Sequence, residues 1–256
     1  MRFRPCIDIH NGKVKQIVGS SLRDEGDYAR ENFVSEKDAA YYALMYGKMG
    51  FTGGHIIILN PKGSEFYEAS KEQALAALSA CPGSMMIGGG VDPLDAPSYI
   101  KAGASHVIVT SYIFTGSRID SGKLLEMEDA VGREHLCIDL SCRRKDDGYV
   151  VVTNRWQTFT DEVFGEELLD RLSRHACEYL VHAVDAEGKQ KGIEEDVIPI
   201  LKKSPIPVTY AGGIRDLGDV GKLKVLGDGK IDLTIGSALK IFGGNLGLEE
   251  ISECIR

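Results

Sequence analysis

A unit that occurs twice constrains the fold of this chain more than any other feature of its sequence. Residues 87–91 (I-G-G-G-V) end an apolar run in a pair of glycines, and residues 210–214 (Y-A-G-G-I) do the same in the second half. In each copy a further apolar run follows and ends in a serine, Ser111 or Ser237, with a three-residue insertion in the second copy. The fold therefore has to accommodate two matching halves.

The repetition extends beyond the glycines. Cys6-Ile7-Asp8-Ile9 corresponds to Cys137-Ile138-Asp139-Leu140, and each motif is followed by a charged turn and a short β-rich arm. Eight apolar runs alternate with eight helical segments over the 256 residues. The runs show no apolar–polar alternation, as is typical of parallel strands buried on both faces.

We therefore predict an α/β fold, a TIM (β/α)8 barrel built from two duplicated half-barrels. Residues 1–256 would form a single domain, with the internal repeat at roughly 1–131 and 132–256. An open, doubly wound sheet is the alternative. Two equal halves of four units each favour the barrel, because they can close into a ring.

Local signals predict several individual elements. Asn11-Gly12 favours a tight hairpin turn after the first strand. The polar residues 20–32 are predicted to form a loop, and Ser35 to be the N-cap of the first helix. Helical segments are also predicted over residues 217–226 and 248–255.

Composition narrows the class of protein. The net charge is −8 and the isoelectric point is about 5.3, which disfavours nucleic acid as a partner. No apolar run is long enough to span a bilayer, and no leader precedes the first strand, so we expect a soluble, cytoplasmic protein. As partners we expect a small-molecule substrate and no second subunit. The six cysteines form no C-x-x-C pair or zinc-like cluster, so we expect reduced thiols and no metal site.

The duplicated glycine motifs predict two phosphate sites. Glycine lets a backbone N–H approach a phosphate closely, and a Ser or Thr hydroxyl adds a donor. Four residues from each half form the two candidate sites: Gly89, Gly90, Thr110 and Ser111 in the first, and Gly212, Gly213, Gly236 and Ser237 in the second. A single Gly-Gly pair could be an ordinary strand–turn–helix junction, but the repetition favours a ligand with a phosphate at each end.

Two aspartates are the candidate catalytic residues. Asp8 and Asp139 end the first and fifth strands, and strand ends at the C-terminal face form the active site of a TIM barrel. On opposite sides of one mouth, they could divide general acid and general base work. The alternative is that each carboxylate caps a loop or pairs with a nearby Lys or Arg.

Three further side chains are candidates for substrate binding. His55 and His182 lie at the ends of the second and sixth strands, where each could bind a sugar hydroxyl or serve a structural role. Trp156, the only tryptophan, follows the fifth strand and could stack on a heterocycle or anchor its loop.

These motifs resemble a known family. The segments P-C-I-D-I-H-N-G-K-V-K-Q-I-V-G, I-G-G-G-V, I-D-L-S-C-R, A-G-G-I and I-G-S-A together are similar to the ribotide isomerases of histidine biosynthesis, over nearly the whole chain. The first segment and the R-W-Q at 155–157 look most like the eukaryotic-type branch.

The resemblance implies a cofactor-independent Amadori rearrangement of a bisphosphorylated aminoaldose. By the same resemblance, Asp8 matches the general base, Asp139 the general acid, His55 a histidine near the substrate and Trp156 a stacking aromatic. The sequence departs from the bacterial pattern at residues 58–61, at Asp92 and at His182, which stands where a threonine is usual.

Two other functions stay open at this point. The related cyclase barrel of the same pathway also has paired strand-end aspartates, but it needs an ammonia-supplying glutaminase, and its opening motif is less similar. A non-catalytic barrel that binds a phosphorylated metabolite would keep the glycines but would not need both aspartates.

Overall fold

Eight parallel strands, called barrel strands 1 to 8, lie in the sheet in the order of the chain. The computed structural model describes residues 1–17, 28–154, 156–186 and 192–256. The barrel strands are Cys6–His10, Gly54–Ile58, Met85–Gly88, Val107–Val109, Leu136–Asp139, Glu178–His182, Val208–Ala211 and Asp232–Leu233. Each pairs with its neighbours in parallel, as the continuous apolar runs predicted.

The sheet closes on itself through the first residues of the chain. Phe3 forms a parallel bridge with Leu233. The Arg4 amide donates to the Leu233 carbonyl at 2.8 Å, and the Leu233 amide donates to the Arg2 carbonyl at 3.0 Å. Barrel strand 8 is thereby joined to the segment that leads into barrel strand 1. The predicted TIM barrel is confirmed, and its strand order is consistent with two joined halves of four units.

One α-helix follows each barrel strand in the described part of the chain. These helices, α1 to α8, are Ala39–Lys48, Tyr67–Ala80, Ala96–Lys101, Ser121–Val131, Glu166–Leu172, Ile198–Leu201, Leu217–Leu226 and Leu248–Ile255. The predicted bounds of α7 and α8 match the observed ones. None of the described helices is long and apolar enough to cross a membrane.

The predicted N-cap of α1 is wrong. Asp38 caps the helix instead, and its carboxylate accepts a hydrogen bond from the Tyr41 amide at 2.8 Å. Ser35 forms a local turn, in which its hydroxyl oxygen accepts from the Lys37 amide at 2.8 Å. Both residues are good caps by type, so the sequence pattern did not decide between them.

Antiparallel arms follow barrel strands 1 and 5 and rise above the mouth of the barrel. After strand 1 come Lys13–Ile17 and Glu31–Val34, joined to the sheet through the predicted turn, in which Asn11 and Gly12 both have positive φ. The strand at 31–34 corrects the end of the loop predicted for residues 20–32, and residues 20–27 of that loop lie outside the described residues. After strand 5 come Cys142–Lys145, Gly148–Thr153 and Thr158–Val163.

Apolar side chains fill the barrel on both sides of the sheet. A large core packs between the strands and the surrounding helices, and a smaller cluster lies apart from it. The smaller cluster consists of Met86, Ile108, Cys137, Leu180 and Ala211. These residues come from barrel strands 3 to 7 at neighbouring levels, so the interior is a packed layer beneath the mouth.

Candidate active site

A cavity of about 630 Å³ lies at the C-terminal ends of the barrel strands. Its lining includes all thirteen side chains and glycines that the sequence singled out: Asp8, His55, Gly89, Gly90, Thr110, Ser111, Asp139, Trp156, His182, Gly212, Gly213, Gly236 and Ser237. Strands 1 and 5 are four places apart in the closed eight-stranded ring, so Asp8 and Asp139 stand on opposite walls. The sites predicted from separate motifs therefore share one space.

The two glycine pairs adopt the same kind of backbone conformation. Gly89 and Gly90 have φ values of 104° and 70°, and Gly212 and Gly213 have values of 133° and 72°. Side chains other than glycine rarely adopt such angles. The repeated sequence thus produces a repeated turn on two sides of the cavity.

Close contacts explain why glycine is needed at three of these four positions. A Cβ on Gly89 would lie 2.0 Å from the Ile58 carbonyl oxygen, and one on Gly213 would lie 2.2 Å from the Gly192 carbonyl oxygen. A Cβ on Gly212 would also approach the backbone of the preceding strand connection. At Gly90 the space is open, so only its positive φ favours glycine there.

The residues that carry the hydroxyls of the two candidate phosphate sites lie directly after barrel strands 4 and 8. Thr110 follows barrel strand 4 and precedes the 3-10 turn Ser111–Ile113. Gly236 and Ser237 follow barrel strand 8 and are partly exposed in the cavity. Each hydroxyl thus stands beside a glycine turn of the adjacent strand, an arrangement that suits a phosphate oxygen.

Asp8 is held by an amide from the first arm. Gln16 Nε2 donates to Asp8 Oδ2 at 3.1 Å. The Gln16 side chain is buried. A Cβ on Gly236 would lie only 2.4 Å from Gln16 Oε1, which is too close for a side chain other than glycine. Gly236 is therefore needed to make room for the residue that orients Asp8, whether or not it also contacts a phosphate.

Asp139 has a different set of partners. Ser141 Oγ donates to Asp139 Oδ1 at 3.1 Å, and the Nδ1 atom of His182 lies 3.2 Å from the same oxygen. Trp156 Nε1 donates to Ser141 Oγ at 3.0 Å, and its ring centroid is 6.0 Å from that of His182. The structure thus brings two of the predicted residues, His182 and Trp156, to the carboxylate of a third, Asp139.

The prediction that His55 ends the second strand is wrong, since it is the second residue of barrel strand 2. Its register partner is Cys6, two residues before Asp8, so the buried ring lies deeper in the barrel than Asp8. Burial, with smaller contributions from His182 and Arg4 that outweigh the opposing effect of Asp139, lowers its pKa to about 3. The imidazole is therefore neutral at physiological pH and can act as a hydrogen-bond donor or acceptor, but not as a cation.

Sequence reasoning missed two polar residues that orient the aspartates, Gln16 and Ser141. Both have a signal that could have been used. Gln16 lies in the short arm that follows Asp8, Lys13–Ile17, and Ser141 comes two residues after Asp139. Neither signal says which atom the side chain contacts, because that depends on how each arm folds back over the barrel.

Arg155, the first residue of the R-W-Q segment, lies outside the described residues. Over the ranges that the structure describes, no group of three or more His, Cys, Asp or Glu residues is arranged to hold a metal ion.

Comparison with known proteins gives a consistent set of relatives. A family model described as "Histidine biosynthesis protein" matches residues 2–245. A chloroplastic 1-(5-phosphoribosyl)-5-((5-phosphoribosylamino)methylideneamino) imidazole-4-carboxamide isomerase from Medicago truncatula is 47% identical over 98% of this chain and 80% of its own length. Isomerases of the same name from Neurospora crassa and Saccharomyces cerevisiae are 45% and 37% identical and cover 95% and 100% of this chain, and 93% and 97% of their own lengths.

Proposed function

The chain belongs to the histidine biosynthesis protein family, and from this membership we propose that it is the isomerase named in its relatives. It would convert the phosphoribosylamino group of 1-(5-phosphoribosyl)-5-((5-phosphoribosylamino)methylideneamino) imidazole-4-carboxamide from an aminoaldose into an aminoketose. One observation carries the proposal. The two strand-end aspartates and both glycine pairs line the same cavity.

The substrate's shape matches the two ends of the cavity. A molecule with one phosphate on each of two sugars would place one phosphate at Gly89 and Gly90 and the other at Gly212 and Gly213. Backbone N–H groups of glycine turns and nearby hydroxyls suit phosphate oxygens at both places. Crystals grown in phosphate should hold an ion at each glycine turn across one mouth, and an ion at neither turn would count against this assignment.

Asp139 opens the sugar ring in this proposal. Its carboxylic acid donates a proton to the ring oxygen, the bond from that oxygen to C1 breaks, and the substrate nitrogen forms a double bond to C1. Both hydrogen bonds of Asp139 within the described residues use Oδ1. Oδ2 is left to carry the transferred proton.

Asp8 then removes the proton from C2. The electron pair of that C–H bond forms a C1–C2 double bond and neutralises the nitrogen, which gives an enol that rearranges to the ketone as C1 takes up a proton. The amide of Gln16 stabilises the Asp8 carboxylate and fixes its direction. Oxidation at C2 balances reduction at C1, so the reaction needs no cofactor.

Trp156, His55 and His182 bind the substrate in this proposal and take no part in proton transfer. The indole offers a flat face at the mouth beside His182, suited to the imidazole of the substrate. The neutral ring of His55 can bind a sugar hydroxyl next to Asp139. His182 borders both Asp139 and Trp156, so it can contact the sugar near the opening ring.

A cytoplasmic monomer that folds as one domain over 1–256 is also part of the proposal. All six cysteines are free, which is typical of proteins in a reducing compartment. Cell fractionation would test the location, since the relative from Medicago truncatula is chloroplastic. Light scattering of the purified protein would test the monomer.

The deciding experiment follows the absorbance of the aminoaldose substrate during incubation with purified protein. The aminoketose should accumulate without ammonia and without a glutaminase. Turnover of the aminoketose only when ammonia is supplied would instead identify a cyclase. Tight binding of the substrate without turnover would identify a binding protein.

A further inference from the structure

Ser141 connects two residues to which the proposed reaction gives separate tasks. Its hydroxyl oxygen accepts a hydrogen bond from Trp156 Nε1 at 3.0 Å and donates one to Asp139 Oδ1 at 3.1 Å. An indole N–H can only donate, so the direction of both hydrogen bonds is fixed. The side chain that faces the substrate is thereby joined to the acid carboxylate through one atom.

Burial makes this connection hard to replace with water. Ser141 is 2% exposed and Asp139 is 9% exposed. A buried polar group that loses its partner is costly, so the buried Asp139 oxygen favours the observed position of the hydroxyl, which also accepts from the half-buried Trp156 N–H. The Ser141 hydroxyl therefore restricts the positions of the indole and the carboxylate together.

The backbone of Trp156 adds an independent observation. Trp156 has a φ of 68°. This left-handed backbone conformation is unfavourable for a bulky side chain. It lies in the turn between the arm strands Gly148–Thr153 and Thr158–Val163. Its indole is held by residues outside that turn, through the hydrogen bond to Ser141 and the packing against His182 of barrel strand 6.

We propose that Ser141 is a positioning residue that couples the placement of the Trp156 indole against the substrate to the orientation of the Asp139 carboxylate. The inference rests on the proposed isomerase function. A substrate ring that packs on the indole holds Nε1 in place. Nε1 in turn fixes the Ser141 hydroxyl, and the hydroxyl holds Oδ1 so that Oδ2 faces the sugar oxygen. Stacking of the substrate on the indole then places the Asp139 carboxyl group for proton donation.

The test uses the fact that Trp156 is the only tryptophan, so intrinsic tryptophan fluorescence reports on this site alone. In the Ser141→Ala variant the indole loses its acceptor, and the emission maximum of the ligand-free protein should shift. The kcat should fall about 10- to 100-fold, as expected for a misplaced catalytic group, while KM changes much less. Ser141→Thr, which keeps the hydroxyl, should restore most of both properties.

A second buried serine provides the matched control. Ser84 lies before barrel strand 3, at the opposite end of the barrel from the cavity, and its hydroxyl donates to the Cys81 carbonyl at 2.6 Å. Ser84→Ala should lower the melting temperature about as much as Ser141→Ala but leave the emission maximum and kcat unchanged. A purely structural role for Ser141 would make the two variants alike.

The coupling itself is measured with a double-mutant cycle. Trp156→Phe keeps an aromatic face but removes the N–H donor, so Ser141→Ala should cost little further kcat in that background. Independent losses in the double variant would overturn the inference, and so would a Ser141→Ala enzyme with wild-type kcat and emission. If the wild-type protein does not isomerise the aminoaldose, the proposed function fails, and this inference fails with it. A fully active wild type with an unaffected Ser141→Ala variant removes only the inference.

Discussion

Asp8 and Asp139 occupy matching strand ends, but their surroundings differ at the level of single atoms. A neutral amide donates to Asp8, whereas a hydroxyl and a histidine ring surround one oxygen of Asp139. The two carboxylates therefore meet different partners, a difference that the duplicated sequence alone could not show.

Replacing either aspartate with its amide should remove turnover but leave binding. We expect Asp8→Asn and Asp139→Asn each to lower kcat by about 100- to 10,000-fold, the usual contribution of a general acid or base. The affinity for the substrate, measured by calorimetry, should change little because the glycine turns are intact. Asp129→Asn, an exposed residue on α4, is the control. Near-normal turnover in either active-site variant would contradict the assignment.

Gly236 tests whether Gln16 orients Asp8. A methyl group at Gly236 would lie against the Gln16 amide, so Gly236→Ala should push the amide away and lower kcat by roughly 10- to 100-fold. Gly221→Ala in α7, where nothing lies within 4 Å, should leave kcat unchanged. Steady-state kinetics of both variants would check this. Equal kcat values would mean that the Gln16 contact is dispensable.

At the scale of elements, the arms after barrel strands 1 and 5 build the site as much as the barrel does. Gln16 comes from the first arm. Ser141 lies at the start of the second arm, and Trp156 lies in one of the turns of that arm. The barrel strands supply the aspartates and the arms supply the groups that orient them. This division follows from topology, because each arm begins where a strand that carries one of the two aspartates ends.

The start of α1 offers a test of local structure that is independent of the site. Asp38→Ala removes the hydrogen bond to the Tyr41 amide and should lower the free energy of unfolding by about 1 kcal/mol, as for other N-caps. Urea unfolding would measure it. Glu36→Ala, two residues earlier and equally exposed, should cost less than about 0.5 kcal/mol. A larger loss from Glu36→Ala than from Asp38→Ala would contradict the observed cap.

At the scale of the whole molecule, a buried ion-pair cluster closes the bottom of the barrel. Arg4 Nε lies 2.9 Å from Asp232 on barrel strand 8, and its Nη2 lies 3.2 Å from Glu178 on barrel strand 6. Its Nη1 donates to the Gly53 carbonyl at 3.1 Å, before barrel strand 2. Burial raises the pKa of Glu178, an effect that Arg4 opposes. One side chain thus connects the two ends of the sheet.

Arg4→Met should therefore destabilise the whole barrel. The change leaves Glu178 with an unpaired buried charge and weakens the pairing of Asp232, at a cost of about 3–5 kcal/mol. Arg2 also pairs with Asp232, but its side chain is 60% exposed. Arg2→Met should cost less than about 1 kcal/mol. Chemical denaturation would compare the two, and equal losses would show that burial of the pair does not matter.

Stability should also fall as the solution becomes acidic. The pKa of His55 is lowered to about 3 by burial, and burial and His135 lower that of His106 to about 4. In the unfolded chain both rings take up a proton as the pH drops below about 6.5, whereas the folded protein resists it. Between pH 6.5 and 4.5 the free energy of unfolding should decrease by about 1 kcal/mol per pH unit for each ring. His55→Asn should reduce this slope, and an unchanged slope would contradict it.

Much of the fold followed from sequence patterns that act over short distances. The turn at Asn11-Gly12 and the bounds of α7 and α8 depend on local backbone preferences, which a sequence displays directly. The sequence did not predict the strand Glu31–Val34 or the N-cap at Asp38. Both depend on tertiary contacts, such as the pairing of Glu31–Val34 with Lys13–Ile17. The pairing of Phe3 with Leu233 is the extreme case, since it joins residues from opposite ends of the chain.

By itself, the sequence determined the barrel, the strand ends that carry the aspartates and the glycine turns. Parallel strands leave their C-terminal ends on one face, so a duplicated strand-end motif has to appear twice around one mouth. Only the tertiary structure decided what surrounds each aspartate. The contacts of Gln16 and Ser141 depend on how the two arms fold over the mouth. The Gln16 contact also needs Gly236, after barrel strand 8, because only glycine leaves room for the Gln16 amide. Such contacts between distant segments leave no periodic signal in the chain.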